Sequence, residues 1–381
     1  MLAVATGALV ANLYYAQPLT AVIGPAVGTT PELAGAVVSI TQIGYGVGLF
    51  FLVSLADLVE NRRLVLVMLA IAAMALVGTA VSSSAGSFFA AAFVIGLCST
   101  GAQVLVPFAA RLAPEARRGR IVGNVMAGLL TGIMLARPTA LFLSASFGWR
   151  SVFFGSAVLM VLIGLALARM MPPYAPPSGM HYGQVLASMV GLFRRTPAVR
   201  RRAAYQALMF TAFNMFWTAA PLLLADRFGM GQRGIALFAL AGAAGAFAAP
   251  IAGRLADRGR VRSATAGAMA VLGVAFAATA WAAEATTVVP LILLTLCIDA
   301  AVQTNQVVGQ RIIFSVPAAT RGRVNGIYMT IMFAGGALGS ILGTVTYERG
   351  GWNATATVGA LIGLMMLTLF ATEPRGPVPP D

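Results

Sequence analysis

The sequence predicts an all-α membrane protein in which twelve transmembrane helices form two pseudo-symmetric six-helix bundles. Three observations support this fold class. Hydrophobic residues make up 59% of the 381-residue chain and charged residues only 9%, which is more apolar side-chain area than a soluble core of this size can bury. Apolar stretches of about 20 residues, each long enough to cross a bilayer, recur along the chain. The second half of the sequence also repeats features of the first half.

Twelve apolar stretches follow one another, six on each side of a central gap, and we number them spans 1 to 12. They cover residues 2–24, 33–56, 64–82, 87–110, 121–145, 150–170, 203–225, 235–253, 263–283, 287–313, 323–346 and 353–372. This pattern predicts an N-terminal bundle over 1–170, a linker over 171–202 and a C-terminal bundle over 203–381. In the linker, apolar residues recur on one face of "YGQVLASMVGLFRR", which predicts an interfacial amphipathic helix.

The positive charge of the chain predicts its orientation in the membrane. The formal net charge is +14, and every basic residue is an arginine. Most of the arginines lie in loops on one side of the predicted spans, the side that also holds both chain ends and the linker. The positive-inside rule assigns that side to the cytoplasm. We therefore expect the charge to contact anionic lipid headgroups and do not expect a nucleic-acid partner.

Short patterns recur at a nearly constant distance along the chain. "RRGR" at 117–120 precedes Trp149 by the same spacing at which "TRGR" at 320–323 precedes Trp352. In the same way, "NLYYAQP", which begins at Asn12, corresponds to "NMFWTAAP", which begins at Asn214. The two halves are therefore expected to be copies of one six-helix unit.

The loops that follow spans 2 and 8 share an aspartate motif. "SLADLVENRR" contains Asp57, and "GRLADRGRVR" contains Asp257. With twelve spans in two repeats, these motifs resemble the major facilitator superfamily over essentially the whole chain. "ANLYYAQPL" in span 1 and "LARP" in span 5 further resemble a bacterial branch of drug or sugar efflux permeases. The resemblance implies a multi-pass protein of the bacterial inner membrane.

The same resemblance implies that the aspartate motif forms a latch between the two halves. In the family, the motif carboxylate meets the N-terminus of a facing helix, where the helix dipole favours an anion. The matching residues here are Asp57, Arg62 and Arg63 in the first copy, and Gly253, Asp257 and Arg258 in the second. The alternative is that these are ordinary solvated loop charges.

The resemblance also implies a central cavity lined by spans 1, 4, 7 and 10. Polar and aromatic residues on these spans are the substrate candidates: Asn12, Tyr14, Tyr15, Gln17, Gln103, Asn214, Phe216, Trp217, Asp299, Gln303, Gln306 and Gln310. The last four are spaced by four, three and four residues and so share one helix face. Each single amide could instead serve as an interhelical hydrogen bond. An aromatic, mostly neutral lining favours an amphipathic organic solute.

Arg137 stands beside Pro138 in the middle of span 5. A charge at that depth costs about 2.5–3.5 kcal/mol on insertion scales, and its counterpart in the repeat is Ser340, so symmetric packing does not explain it. Asp299 is the only acidic residue near the middle of a span. We therefore expect the two side chains to interact directly, through water or through substrate, with Asp299 as the proton acceptor. The alternative is that Arg137 snorkels outward or bonds to carbonyls freed by Pro138.

The sequence favours proton-coupled export of a small organic solute by alternating access. Transport driven by ATP hydrolysis at a P-loop is excluded, because the phosphate-binding P-loop needs a lysine and the chain has none. The antiporter signature of the family in span 5 is only partly matched, since Leu141 and Phe142 replace its final glycines. The alternatives are facilitated diffusion or proton-coupled uptake of a sugar or metabolite, and then a membrane-embedded enzyme or a sensor.

The single histidine, His181, lies in the linker, and we expect no cofactor and no metal. The expected partners are substrate, protons and membrane lipids, and the expected state is a monomer.

Overall fold

The computed structural model describes residues 1–30, 33–114, 117–175, 181–243, 248–317 and 320–373, and their regular structure is helical. Nine helices in these ranges are long and apolar enough to cross a membrane. Span 1 is built from shorter helices, and span 8 includes residues 244–247, which lie outside the described ranges. Spans 11 and 12 form one helical segment that is broken at Gly350 and Gly351. Nine such helices are therefore compatible with twelve spans.

Spans 1 to 6 precede the linker. Span 1 breaks into Leu2–Ala11, the 3-10 turn Gln17–Leu19 and Thr20–Val27. Pro18, which lacks an amide N–H, stands at the start of the turn. The other helices of this half are Ala36–Leu55 (span 2), Asn61–Ala80 (span 3), Ala85–Ser99 and Gly101–Leu112 (span 4), Arg118–Phe147 (span 5) and Trp149–Met170 (span 6).

The linker helix covers Tyr182–Arg195, and spans 7 to 12 follow it. They are Pro197–Asp226 (span 7), Gln232–Ala243 and Ala248–Asp257 (span 8), Val261–Glu284 (span 9), Val289–Ile313 (span 10) and Arg321–Ala371 (spans 11 and 12). Span 7 therefore starts several residues before the expected boundary at 203. Pro197 occupies its first turn, where the missing amide N–H costs nothing.

The predicted repeat has a structural counterpart at the ends of spans 5 and 11. Span 5 ends at Gly148 with φ of 80°, and the long helix of spans 11 and 12 is broken at Gly351 with φ of 62°, a conformation that favours glycine. The next residue in each copy, Trp149 or Trp352, is 5% exposed. The same turn thus positions an equivalent buried tryptophan in both halves.

Spans 2 and 11 pack closely against each other across the two halves. Ser39 donates to the carbonyl of Ala337 at 2.6 Å, and the rings of Tyr45 and Phe333 lie 4.4 Å apart. Near the start of span 2, Gly35 packs directly on the backbone of span 11 at Ser340. Close approach of two backbones at a residue without a side chain is typical of packed membrane helices.

The linker helix lies against the opposite ends of the same two spans. Tyr182 donates to the carbonyl of Phe51 at 2.9 Å, and Arg323 donates to Ser188 at 3.1 Å. Met189, which is 1% exposed, packs against Gly326. Part of the apolar face that predicted an interfacial helix, Val185 and Met189, is therefore covered by protein. We call this end of the spans the linker side and the other end the far side.

Candidate functional site

A cavity of about 200 Å³ lies between the two halves. One wall is polar and belongs to span 10, where Asp299, Gln303, Gln306 and Gln310 all face the cavity. Gln103 of span 4 also lines it and donates to the hydroxyl of Tyr45 at 3.1 Å. The helical spacing read from the sequence thus corresponds to one continuous row of amides leading to a carboxylate.

Span 5 supplies an apolar wall to the same cavity. The cavity residues of this wall recur every three or four positions: Met126, Leu129, Leu130, Ile133 and Met134. Aromatic rings of span 7, Phe210 and Phe213, extend the apolar lining. Apolar walls with a few placed polar groups are typical of small-molecule sites, and this cavity suits a solute that is apolar along one side.

Arg137 lies at the deep end of the cavity and is 6% exposed. Its Nε donates to Oε1 of Gln17 at 3.0 Å, so this hydrogen bond goes to span 1 and not to carbonyls near Pro138. The guanidinium carbon lies 5.0 Å from the ring centre of Tyr14, 5.2 Å from that of Phe213 and 4.6 Å from that of Trp217. Desolvated cation–π contacts contribute about 2 kcal/mol each, which offsets part of the cost of burying the charge.

Asp299 is 7% exposed and accepts a hydrogen bond from the indole N–H of Trp217 at 3.0 Å. In the described part of the chain, the ion pairs within 4.0 Å are Arg111–Asp57 and Arg202–Glu373. Arg137 and Asp299 therefore do not touch, and the Trp217 side chain contacts both. The arrangement keeps two opposite charges close in an apolar setting, where Coulomb interactions are weakly screened.

Amides close the cavity on the far side. Gln17 donates to Asn214 at 3.1 Å and to Thr218 at 3.5 Å, and Gln42 donates to the same Asn214 oxygen at 2.5 Å. These bonds join spans 1 and 2 to span 7, across the boundary between the halves. Buried amides that pair between helices stabilise a membrane bundle, so they hold the far side shut in this conformation.

A second cavity of about 270 Å³ lies on the linker side and shares Gln103 with the first. Its lining includes Asp57 and Arg111 from one half, and Arg321 and Asn325 from the other. Cavities lined by both halves therefore extend from the deep site toward the linker side, where spans 2 and 11 still touch at Leu49 and Gly326. On the far side, hydrogen bonds join the two halves.

Six of the substrate candidates do not line the first cavity. Gln17, Asn214 and Trp217 lie next to its deep end, where Gln17 bonds to both Arg137 and Asn214 and Trp217 contacts Arg137.

The other three substrate candidates are more remote. Asn12 accepts from Ser156 at 2.6 Å within the N-terminal half. Tyr15 faces a groove between spans 1 and 5. Phe216 is fully buried in the C-terminal half, with its ring 5.6 Å from that of Trp352 and 6.0 Å from that of Phe276. In the structure these three side chains pack within one half.

The motif residues after span 2 also make contacts within their own half. Asp57 lies 3.8 Å from Arg111, both being about half exposed, and Arg62 donates to the carbonyl of Ala168, whereas Arg63 is exposed. In the second copy, Gly253 is half-buried and Arg258 exposed. The side chain of Asp257 lies outside the described residues. A latch between the halves is not formed by Asp57 in this conformation.

Sequence reasoning missed Gln42 and Tyr45 of span 2 and Phe213 of span 7. All three contact residues of the deep site. Gln42 and Tyr45 belong to span 2, which is outside the four spans expected to line the cavity. Phe213 is one of many apolar residues in span 7, and nothing in its local sequence distinguishes it. The available signal was Gln42, a single amide within an apolar stretch. An amide at that depth needs a partner.

The family model for the Major Facilitator Superfamily matches residues 2–313. An uncharacterized transporter of Escherichia coli O157:H7, YgaY, is 39% identical over 371 residues, which cover 97% of this chain and 94% of that protein. A probable transporter of Streptomyces coelicolor is 34% identical over 384 residues, which cover 98% and 87%. Among solved structures, the nucleoside transporter NupG superposes with a TM-score of 0.73 at 12% identity, over 97% of this chain and 98% of that one.

Proposed function

The chain belongs to the Major Facilitator Superfamily, and from this premise we propose that it moves a small amphipathic organic solute across the membrane by alternating access, with Asp299 as the proton site. The observation that supports this most directly is the placement of Arg137 and Asp299 together at the deep end of a cavity between the halves. Ionisable residues inside a membrane protein typically mark substrate or proton pathways.

The arrangement of contacts supports the alternating-access part of the proposal. The far side is held by Ser39 on Ala337 and by Gln17 and Gln42 on Asn214, while cavities lined by both halves reach toward the linker side. Transport then requires the far-side bonds to break as the linker side closes. In agreement with the arginine distribution, we assign the linker side and both chain ends to the cytoplasm of a bacterial inner membrane.

Two modes of coupling follow from the same site. In export by exchange, the mode that the efflux-permease resemblance favours, proton and substrate occupy Asp299 in turn. In uptake by co-transport, both bind together. The second mode is supported by Arg137, a permanent cation whose Nη2 is buried without a hydrogen-bond partner, because an anionic substrate there does not compete with a proton on Asp299.

A transport assay tests the proposal. The full chain in proteoliposomes is given a panel of labelled organic solutes with and without an imposed pH gradient. We expect accumulation of at least one solute to follow the gradient, outward or inward according to the mode. If substrate counterflow is unaffected by the pH gradient, proton coupling is contradicted. If no solute of the panel shows flux at any pH, the proposed transport function is contradicted.

A further inference from the structure

Two arginines are buried in the described part of the chain, and they differ in their partners. Arg202 is 5% exposed, lies 3.1 Å from the carboxylate of Glu373 and donates to Thr265 at 2.8 Å. Arg137 is 6% exposed and has no carboxylate within 4.0 Å in the described residues. A carboxylate thus contacts the buried arginine near the surface, whereas none of the described carboxylates contacts the one at the cavity, where Asp299 is close but not paired.

The hydrogen-bonding capacity of Arg137 is only partly used. A guanidinium carries five N–H donors in a planar fork. Nε donates to a neutral amide, Gln17, and Nη2 is buried without a partner. The rings of Tyr14 and Trp217 contact the guanidinium, but rings do not accept at the edge of the fork as oxygens do. The group that matches such an edge is a carboxylate or a similar oxyanion, which can bind through two parallel hydrogen bonds.

The rest of the cavity describes the body of the ligand. Between Arg137 and the linker side, the span 5 wall of the cavity is formed by Met126, Ile133 and Met134. Span 10 lines the same cavity with Gln303 and Gln306. A ligand with its anionic end at Arg137 would therefore place an apolar chain or ring along span 5. Methionine side chains adapt to varied shapes, and the amides can bond to neutral polar groups on the other side of the ligand.

We propose that the substrate is an amphipathic organic carboxylate whose anionic group binds the Arg137 guanidinium and whose apolar body lies along the span 5 wall. This inference rests on the proposed transport function and specifies its substrate class. It also selects the mode of coupling. The charged groups of the cavity lining are Arg137 and Asp299, and a proton on Asp299 leaves the site positively charged, so proton and carboxylate favour each other's binding and travel in the same direction.

The test compares matched ligands on the purified full chain in lipid nanodiscs. Each set consists of three compounds that share one apolar body and differ only in their end group. One set is 3-phenylpropionate, 3-phenylpropanol and 3-phenylpropylamine, and a second set has a hexyl body with the same three end groups. Binding is followed by thermal shift and by tryptophan fluorescence, since Trp217 lies at the site. We expect the carboxylate of a set to bind at least tenfold more tightly than its alcohol and amine, and more tightly at pH 6 than at pH 8.

Variants separate charge from folding. Arg137→Gln should remove the preference for the carboxylate, and Arg137→Lys, which keeps the charge but not the fork, should restore part of it. Arg150→Gln, at the far end of span 6, is the matched control and should bind as the parent does. Equal or tighter binding of the amine or alcohol, no binding by any carboxylate, or full carboxylate preference in Arg137→Gln would each overturn the proposal. Flux of a cationic or neutral solute would overturn it while leaving the proposed transport function intact.

Discussion

The indole N–H of Trp217 donates to Asp299 at 3.0 Å while the same ring lies 4.6 Å from the guanidinium carbon of Arg137. One side chain of span 7 therefore contacts a cation from one half and a carboxylate from the other. Its ring contacts the cation through its π system, and its edge donates to the anion. The opposite charges therefore stay near each other without forming an ion pair. An ion pair would occupy both side chains, so that Arg137 could not bind substrate and Asp299 could not bind a proton.

Replacing Trp217 by phenylalanine should separate the two contacts. Trp217→Phe keeps a ring near Arg137 and removes the N–H that binds Asp299. A hydrogen bond to a charged group contributes about 1.5–3 kcal/mol, so we expect substrate binding to persist while the pH dependence of transport changes. The measurement is initial transport rate against pH in proteoliposomes. Trp281→Phe, on an exposed tryptophan of span 9, is the control, and identical pH profiles for both variants would contradict the role given to the indole.

Neutralising the carboxylate should uncouple transport from protons. We expect Asp299→Asn to abolish accumulation driven by a pH gradient while exchange of substrate down its own gradient continues, because the amide keeps an acceptor for Trp217 but cannot ionise. Arg137→Ala should reduce both activities. The double variant Arg137→Asp, Asp299→Arg should recover part of the binding. Normal gradient-driven transport in Asp299→Asn would refute the assignment of the proton site.

Much of the fold could be predicted because its determinants are local. Apolar length identified the spans, and the repeat correctly related Trp149 to Trp352, which follow the positive-φ glycines Gly148 and Gly351. The break inside span 1 was harder to predict, since a run of apolar residues does not reveal that the helix ends before Pro18. The start of span 7 at Pro197 lay beyond the apolar stretch, because arginines can extend a helix past the hydrocarbon.

The site was less predictable because it depends on contacts between distant parts of the chain. Helical spacing was enough to place Gln303, Gln306 and Gln310 on one wall. Spacing could not distinguish Phe216 from its neighbour Trp217. Phe216 is buried in the C-terminal half, whereas Trp217 touches Arg137. Nor could spacing indicate that Gln42 reaches Asn214 across the two halves, since no local pattern records a partner far along the chain.

Closure of the far side should depend on Gly35. A Cβ at this position would clash with the carbonyl oxygen of Ser340, and overpacking of this kind costs about 1–3 kcal/mol. We expect Gly35→Ala to slow transport and to shift the protein toward a far-side-open state. The readout is faster labelling of a cysteine introduced at Leu141, which is 1% exposed and lies beside Pro18 and Trp217. Gly86→Ala is the matched control, because a Cβ there has no heavy atom within 4 Å. Equal labelling in the two variants would contradict this account.

Orientation in the membrane can be tested with single cysteines. Cys297 is exposed and Cys98 buried, so both are first replaced by serine. His181→Cys lies next to the linker helix and Ser83→Cys in the exposed far-side turn before span 4. If the linker side is cytoplasmic, a membrane-impermeant maleimide added to intact cells should label Cys at 83 and not at 181. Both should react after lysis, and the reverse pattern in intact cells would invert the topology.

The two motif aspartates should act when the linker side closes. In the present conformation Asp57 pairs loosely with Arg111 at 3.8 Å and lines the same cavity as Arg321, at the first turn of span 11. When the halves approach there, the carboxylate can reach the positive end of that helix, an interaction of about 0.3–1 kcal/mol at an exposed site. Asp57→Asn and Asp257→Asn should therefore insert normally, transport more slowly and remain open to the linker side for longer.

The readout for both motif variants is labelling from the linker side of a cysteine introduced at Gln310, measured together with transport. We expect labelling to rise in Asp57→Asn and Asp257→Asn, because loss of the carboxylate removes a contact made only in the closed form and so shifts the population toward the open one. Glu284→Gln, an exposed carboxylate at the far end of span 9, controls for loss of one negative charge. If both aspartate variants label and transport as this control does, the two residues are solvated loop charges and no latch exists.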